Sequence, residues 1–395
     1  MKLNHGLHLA YCTNIHRGET WAETFEALEQ YTLAVREQVC PNEPYAIGLR
    51  LSDRASRELA DPEAIRRFRF WLDRHNCYVF TVNGFPFGRF HGGRIKEKVY
   101  SPDWTSPERL HYTNRLFEIL AQLLPKGVEG SVSTLPGSFK EFIKSPEQVK
   151  AIRDNLWRCV EHIARVIDAT GRTLHLGLEP EPLGLFETSA ETVQFFERLR
   201  GEHARDSRLT ELLGVNYDTC HLAIEFEEPE AAMAALQRHD IRVSKIHLSS
   251  ALKIHPTLEA RAELSAFAED TYLHQVIVRS PNAELVRYKD LGDALTAHPL
   301  AREPALEEWR IHFHIPLHSP GTTIFRSTID HLEGVLDLLQ QNPKLCSHLE
   351  METYTWEVMP PELKNRSVVE QLVSEYAWTL QRLDERNLAG QTGSF

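Results

Sequence analysis

The sequence predicts an α/β chain closed into one (β/α)8 TIM barrel, with a β-hairpin insertion between strands seven and eight. Two observations predict it. Short apolar runs alternate with amphipathic stretches of helical length, and polar residues stand at the ends of consecutive runs. The alternation implies parallel βαβ units. A doubly wound open sheet would alternate in the same way, but only a closed barrel brings the polar ends of successive strands to one face.

The eight runs are Leu7–Asn14, Ala46–Ser52, Tyr78–Asn83, Gly130–Thr134, Leu174–Glu179, Leu212–Asp218, Val243–Leu248 and Leu345–Glu352. Helical spacing marks Trp21–Val39, Pro62–Asn76, Pro107–Leu124, Pro146–Ala169 and Ala190–Arg200. Asp61-Pro62, Ser106-Pro107 and Ser145-Pro146 each put a capping side chain before a proline at the first helical position. Thr188 with Glu191 has the spacing of a capping box. The last helix, Val368–Leu388, is expected to close the ring, with Gly390–Phe395 as a frayed tail.

The rhythm breaks once. Runs seven and eight lie roughly 95 residues apart, far beyond an ordinary connection. Alternating stretches at Gln275–Arg279, Glu284–Lys289 and Arg310–Leu317, with Ser280-Pro281-Asn282 as a turn, predict a hairpin joined by a third strand. The expected organisation is a single domain over 1–395 whose insertion, 255–318, flanks the barrel mouth.

Composition narrows the function classes. Of 395 residues, 42% are hydrophobic and 25% charged, as in an ordinary soluble globular protein. The net charge of −12 argues against nucleic acid and anionic membrane as partners. No apolar run approaches the ~20 residues of a membrane span. The six cysteines are scattered with no C-x-x-C pair, so reduced core thiols are expected. The opening residues carry no secretory apolar run, which makes a cytoplasmic location the expectation. Nucleotide-binding, zinc-protease and serine-hydrolase motifs are absent.

The informative residues sit where strands end. Run five finishes Leu178-Glu179-Pro180-Glu181-Pro182, run six Asn216-Tyr217-Asp218-Thr219-Cys220-His221, run seven Lys245-Ile246-His247-Leu248, and run eight Leu349-Glu350-Met351-Glu352-Thr353. Side chains alternate across a strand, so Glu179, Asp218, His247 and one of Glu350 and Glu352 point inward near the top. Glu352, nearer the strand's end, is the better placed of the pair. Three carboxylates and an imidazole in one dry funnel repel unless a cation joins them. Mixed nitrogen and oxygen donors suit Mn²⁺, Zn²⁺, Co²⁺ or Fe²⁺ better than Ca²⁺. Lys245 shares the inward parity of His247 but lies deeper, where pairing with an acid is expected. Asn83 and His91 flank an aromatic loop after run three and are candidate substrate contacts, as are Glu181 and His314. His312 and His314 alternate toward one face, so they either make a polar sheet face or reach over the metal.

On these motifs the chain resembles the xylose-isomerase-like sugar isomerases and epimerases. More narrowly, Tyr11-Cys12-Thr13-Asn14, Asn83-Gly84-Phe85-Pro86-Phe87-Gly88, Ser133-Thr134-Leu135-Pro136 and Glu352-Thr353-Tyr354-Thr355-Trp356 resemble EboE-type barrels of metabolite-traffic gene clusters. The resemblance implies a divalent metal on Glu179, Asp218, His247 and Glu352, with His221 contacting substrate. Glu179 and Glu352 would shuttle a proton as base and acid. The acid doublet of run eight, the lack of an acid after His247 and the long insertion depart from the epimerases. The implied function is metal-dependent isomerisation or epimerisation of a small polyhydroxylated carbonyl compound. Two other readings stay open: a hydrolase like the endonuclease IV type, and a non-catalytic barrel that hands an intermediate to partners. Pairing with a second copy, or with other proteins of the cluster, also stays open.

Overall fold

Barrel strands β1 (His8–Tyr11), β2 (Tyr45–Arg50), β3 (Cys77–Asn83), β4 (Gly130–Thr134), β5 (Leu174–Leu178), β6 (Leu213–Asp218) and β7 (Arg242–Leu248) come first along the chain. Then β8 (Ala251–Ile254), β9 (Val276–Arg279), β10 (Leu285–Tyr288), β11 (Glu308–His314) and β12 (Arg326–Ser327) build a second sheet, and the chain returns to the barrel as β13 (His348–Met351). The computed structural model describes residues 1–204, 206–300, 303–360, 364 and 366–390. The tail expected to fray lies, beyond Gly390, outside the described residues.

The barrel strands pair in parallel in the order β1-β13-β7-β6-β5-β4-β3-β2. The seam between β1 and β2 is joined by one parallel bridge, Cys12 with Gly48. Every residue of these eight strands except Arg242 is buried. That two-sided burial explains why the strands read as near-continuous apolar runs. All six cysteines are free and buried. Among the described residues no helix is long and apolar enough to cross a membrane.

The flanking helices follow their sequence signals. In the helix Pro62–Arg74, Ile65, Phe68 and Leu72 repeat at helical spacing and bury one face, while Asp61 accepts from the backbone of Glu63 and Ala64. The helix Pro146–Thr170 ends at Gly171, whose φ of 65° lets the chain turn off in the left-handed region. Two details differ from expectation. Thr188 caps Glu191, but the Glu191 carboxylate turns to the Glu187 amide and Lys140 instead of closing the box. The expected helix Trp21–Val39 is interrupted by a π-helical turn at Leu28–Thr32, which swings Tyr31 onto the His16 ring and Thr32 onto the Tyr11 hydroxyl.

The insertion is an antiparallel sheet in the order β10-β9-β11-β8-β12. The expected hairpin is β9 with β10, and β11 is the third strand. Strands β8 and β12 are additional, so the sheet reaches from Ala251 to Ser327, wider than the expected 255–318. Four and two residues are too few to show an alternating pattern in sequence.

Toward the bottom of the barrel the interior is filled by rings: Phe80 packs 5.3 Å from His8 and 4.8 Å from His348, and His175 lies 5.3 Å from His348. Burial pushes His8 and His175 down to about 4, and it does the same to His331, which packs outside against Tyr217. These imidazoles are neutral in the fold and take a proton in the unfolded chain below its ordinary value of 6.5. Between that value and about 4 the unfolded state binds more protons, so stability is complete above the window and is lost as pH falls through it. The urea midpoint is therefore expected to fall steadily from about pH 6.5 to pH 4, and His175→Asn should flatten that slope. Denaturation followed by circular dichroism across the window checks this; a midpoint independent of pH would contradict it.

Candidate metal centre

The top of the barrel is organised by register. Beyond a register shift between Val215 and Asn216, Asn216 pairs with Lys245 and Asp218 with His247, while Glu350 pairs with His247 from the other side. Asp218 ends β6 and caps the short helix Thr219–Ile224. Glu179 follows β5, its amide bonded to the Thr134 carbonyl, and Glu352 follows β13, its amide bonded to the Leu248 carbonyl.

Four side chains converge. Glu179 Oε1, Asp218 Oδ2 and Glu352 Oε2 each lie 3.3 Å from His247 Nδ1. All four residues are buried, and their donor atoms lie within 4.8 Å of one another. The second oxygen of each acid is committed elsewhere. Glu179 Oε2 accepts from Asn216 at 2.7 Å, and Glu352 Oε1 accepts from Asn14 at 2.8 Å and Asn83 at 3.0 Å. Asp218 Oδ1 accepts from the amides of Cys220 and His221 and from the Ser249 hydroxyl at 2.5 Å. Each carboxylate thus has one anchored oxygen and one aimed inward. Asp218 Oδ2 is buried with no hydrogen-bond partner, an acceptor in want of a cation. The donor set of three oxygens and one nitrogen fits a divalent transition ion.

Glu350 and Glu352 divide the work between them. Glu350 sits one level down, where Lys245 donates to its Oε2 at 2.6 Å and His247 Nε2 lies 2.8 Å from the same oxygen. Lys245 also donates to Ser133 at 2.9 Å. A Cβ on Gly48 would collide with Glu350 Oε1 and the Tyr11 carbonyl, so only glycine leaves room for this carboxylate. By accepting from Nε2, Glu350 leaves Nδ1 of His247 as the atom facing the other acids. Burial opposes its charge, yet Lys245 and His247 draw Glu350 down to about 2. Burial would lower His247, but Glu352 and Glu179 hold it well above its ordinary value. Asp218, although buried, is held well below its own by His221 and His314.

The remaining expected residues fall into three groups. Glu181 and His221 line the cavity above the four donors. Burial and the neighbouring Glu179 push Glu181 well above the usual carboxylate range. Asn83, expected at the substrate, also lines the cavity, but its side chain anchors Glu352. His91 is not among the described cavity residues. Both of its nitrogens are engaged, Nε2 with the Asn14 carbonyl at 2.6 Å and Nδ1 with the Tyr272 hydroxyl at 2.5 Å. His314 leaves the cavity wall to His312; it gathers with Asp218 and His221 in one buried triad and with Cys220 and His312 in another.

Asn14 and Asn216, the amides that set the carboxylates, and Val99, Tyr100 and Leu273 of the upper wall are given no role by the sequence, whereas Phe85 and Phe90 of the same wall belong to the expected aromatic loop. No motif announces an amide in this role; its place beside an inward acid is the available signal. Lys96 is the cation of the described wall, and its Nζ is committed to Asp290 at 2.7 Å and the Glu269 carbonyl at 2.6 Å.

No family model matches the chain, and no curated protein matches it. Solved structures do. A D-tagatose 3-epimerase-like protein has 14% identity over 96% of this chain and 98% of that one, with a TM-score of 0.51. L-ribulose 3-epimerase has 12% identity over 98% of this chain and 96% of its own, with a TM-score of 0.50. A xylose isomerase-like TIM barrel protein from Mycobacterium smegmatis, in complex with magnesium, has 11% identity over 98% of this chain and 100% of that one, with a TM-score of 0.52. At these identities the likeness shows the fold, a xylose-isomerase-like TIM barrel.

The geometry beneath the donors is testable through stability. Glu350→Gln strands the Lys245 charge and Lys245→Met strands the Glu350 charge, and each is expected to cost about 3–5 kcal/mol. The apolar pair Lys245→Met with Glu350→Leu should cost clearly less than the two single changes together. Urea unfolding of the variants decides; strictly additive losses would show that the two charges are not coupled.

Proposed function

We propose that the protein is a metal-dependent isomerase or epimerase of a small, uncharged polyhydroxylated carbonyl compound. The observation that carries this is the convergence of Glu179 Oε1, Asp218 Oδ2 and Glu352 Oε2 on His247 Nδ1 at 3.3 Å in a buried pocket. A divalent cation held there supplies the electrophilic pull on a carbonyl and its neighbouring hydroxyl that acidifies the C–H between them. The structural neighbours named as epimerases support the same reading through their fold.

The chain's own residues do the rest. Glu179 and Glu352, each anchored by amides through one oxygen, turn the other into the pocket, where it would be a donor to the cation and, through its remaining lone pair, take a proton from one carbon and return it at its neighbour or on the opposite face. His221, on the cavity wall, holds a substrate oxygen. Glu181 and Tyr100, buried side by side on the cavity wall, offer hydrogen bonds to substrate hydroxyls. Phe85, Phe90, Val99 and Leu273 cover the C–H face and exclude water. With Lys96 already paired, this wall favours a substrate without phosphate. It disfavours the phosphodiesterase reading for the same reason. The likeness of its motifs to EboE-type barrels supports a role for the reaction in a metabolite-traffic gene cluster.

The test is hydrogen exchange. Protein loaded with Mn²⁺ and incubated in D2O with ketopentoses and ketohexoses should place deuterium on the carbon beside the carbonyl of at least one of them, read by NMR. Glu179→Gln and Glu352→Gln should each slow this at least ~100-fold. A sugar that raises the melting temperature yet returns without deuterium would contradict the enzymatic reading and favour a barrel that binds and hands on.

A further inference from the structure

Above the four donors lies a second convergence, of which the proposed reaction uses His221 alone. Three imidazoles meet there: His221 from the helix after β6, and His312 and His314 from β11 of the insertion. All three are buried. Each has its Nδ1 on an acceptor that can only receive: the Pro180 carbonyl at 3.2 Å for His221, Gln275 Oε1 at 2.7 Å for His312, and the Glu352 carbonyl at 3.0 Å for His314. The Gln275 amide is itself oriented, because its Nε2 donates to the Pro182 carbonyl at 2.9 Å. In all three rings Nδ1 is therefore the donor, and the Nε2 lone pairs face inward.

Those lone pairs face one another. His312 Nε2 lies 3.1 Å from His221 Nε2 and 3.2 Å from His314 Nε2. Asp218 Oδ2, buried and unpartnered, lies 3.9 Å from His221 Nε2. The Tyr354 hydroxyl, 3.3 Å from His312 Nε2, can donate to one of these acceptors but not to all. Three acceptors and a carboxylate oxygen in a dry space repel unless a positive charge lies between them. The two distances from His312 are those of ligands on one ion, since tetrahedral metal–nitrogen bonds of ~2.0–2.1 Å hold their nitrogens about 3.3 Å apart, and donor atoms of Asp218, His221 and His314 lie within 4.8 Å of one another.

We infer that His221, His312 and His314 form a second cation site, with Asp218 as the ligand shared with the first. Three imidazoles and one carboxylate select a borderline ion such as Zn²⁺ or Co²⁺, whereas the oxygen-rich first site accepts Mn²⁺. The insertion thereby completes a two-ion centre as well as covering the barrel. The inference rests on the proposed reading at two residues, Asp218 as a shared ligand and His221, whose Nε2 would hold the second cation in place of a substrate oxygen, and the two sites stand or fall separately in one experiment.

The full chain, stripped with a chelator, is titrated with Co²⁺ while visible absorption and bound metal are recorded. Wild type should bind about two equivalents, one of them giving the intense absorption of tetrahedral cobalt. His312→Gln and His314→Gln should each lose that equivalent and its absorption, yet still bind Mn²⁺ at the first site by electron paramagnetic resonance, which also shows that they fold. Glu352→Gln should keep the tetrahedral band and lose the Mn²⁺ signal. A single equivalent in wild type that both histidine variants retain with an unchanged spectrum overturns the second site and leaves the first. A single equivalent that survives Glu352→Gln but not His312→Gln does the reverse, and no uptake at all overturns both.

Discussion

Three carboxylate oxygens held within 3.3 Å of one imidazole nitrogen, out of reach of water, are the constraint on which the upper half of this barrel depends. Acids at such spacing repel or protonate unless positive charge is supplied. The surrounding side chains behave as though that supply is expected. Amides of Asn14, Asn83 and Asn216 anchor the outer oxygens, and backbone amides with Ser249 anchor Asp218. What they leave free points to one place.

One level below, the same problem is solved without a metal. Lys245 neutralises Glu350, and Glu350 in turn fixes which nitrogen of His247 faces upward. Below that, the rings of His8, His175 and His348 are neutral. The interior thus runs from uncharged rings through an ion pair to an acid-rich mouth. Charge density rises toward the C-terminal ends of the strands, where the chemistry of such barrels is placed.

Much of this was legible in the sequence because strand parity is a strict rule. Knowing that Glu179, Asp218 and His247 end successive strands was enough to bring them together, and distance from the strand end separated Glu352 from Glu350. Lys245 beside an acid followed from the same parity. What parity does not reach was not legible. Asn14, at the end of β1, meets Glu352 across the barrel, a contact between residues 338 apart in sequence. His91 and His314 were expected at the substrate because they lie on segments above the mouth, but loop and insertion side chains obey no barrel alternation. The partner of His91, Tyr272, lies ahead of β9 where no pattern marks it, whereas the meeting of His314 with His312 follows from their alternation on β11.

The upper barrel depends on one geometric relation, four strand-end side chains gripping a single ion. Anomalous diffraction from crystals of the Mn²⁺-loaded protein tests it most directly. The account predicts one strong peak about 2.0–2.3 Å from Glu179 Oε1, Asp218 Oδ2, Glu352 Oε2 and His247 Nδ1. A peak bound by Glu350 in place of Glu352, or no peak with the four side chains turned apart, would contradict it.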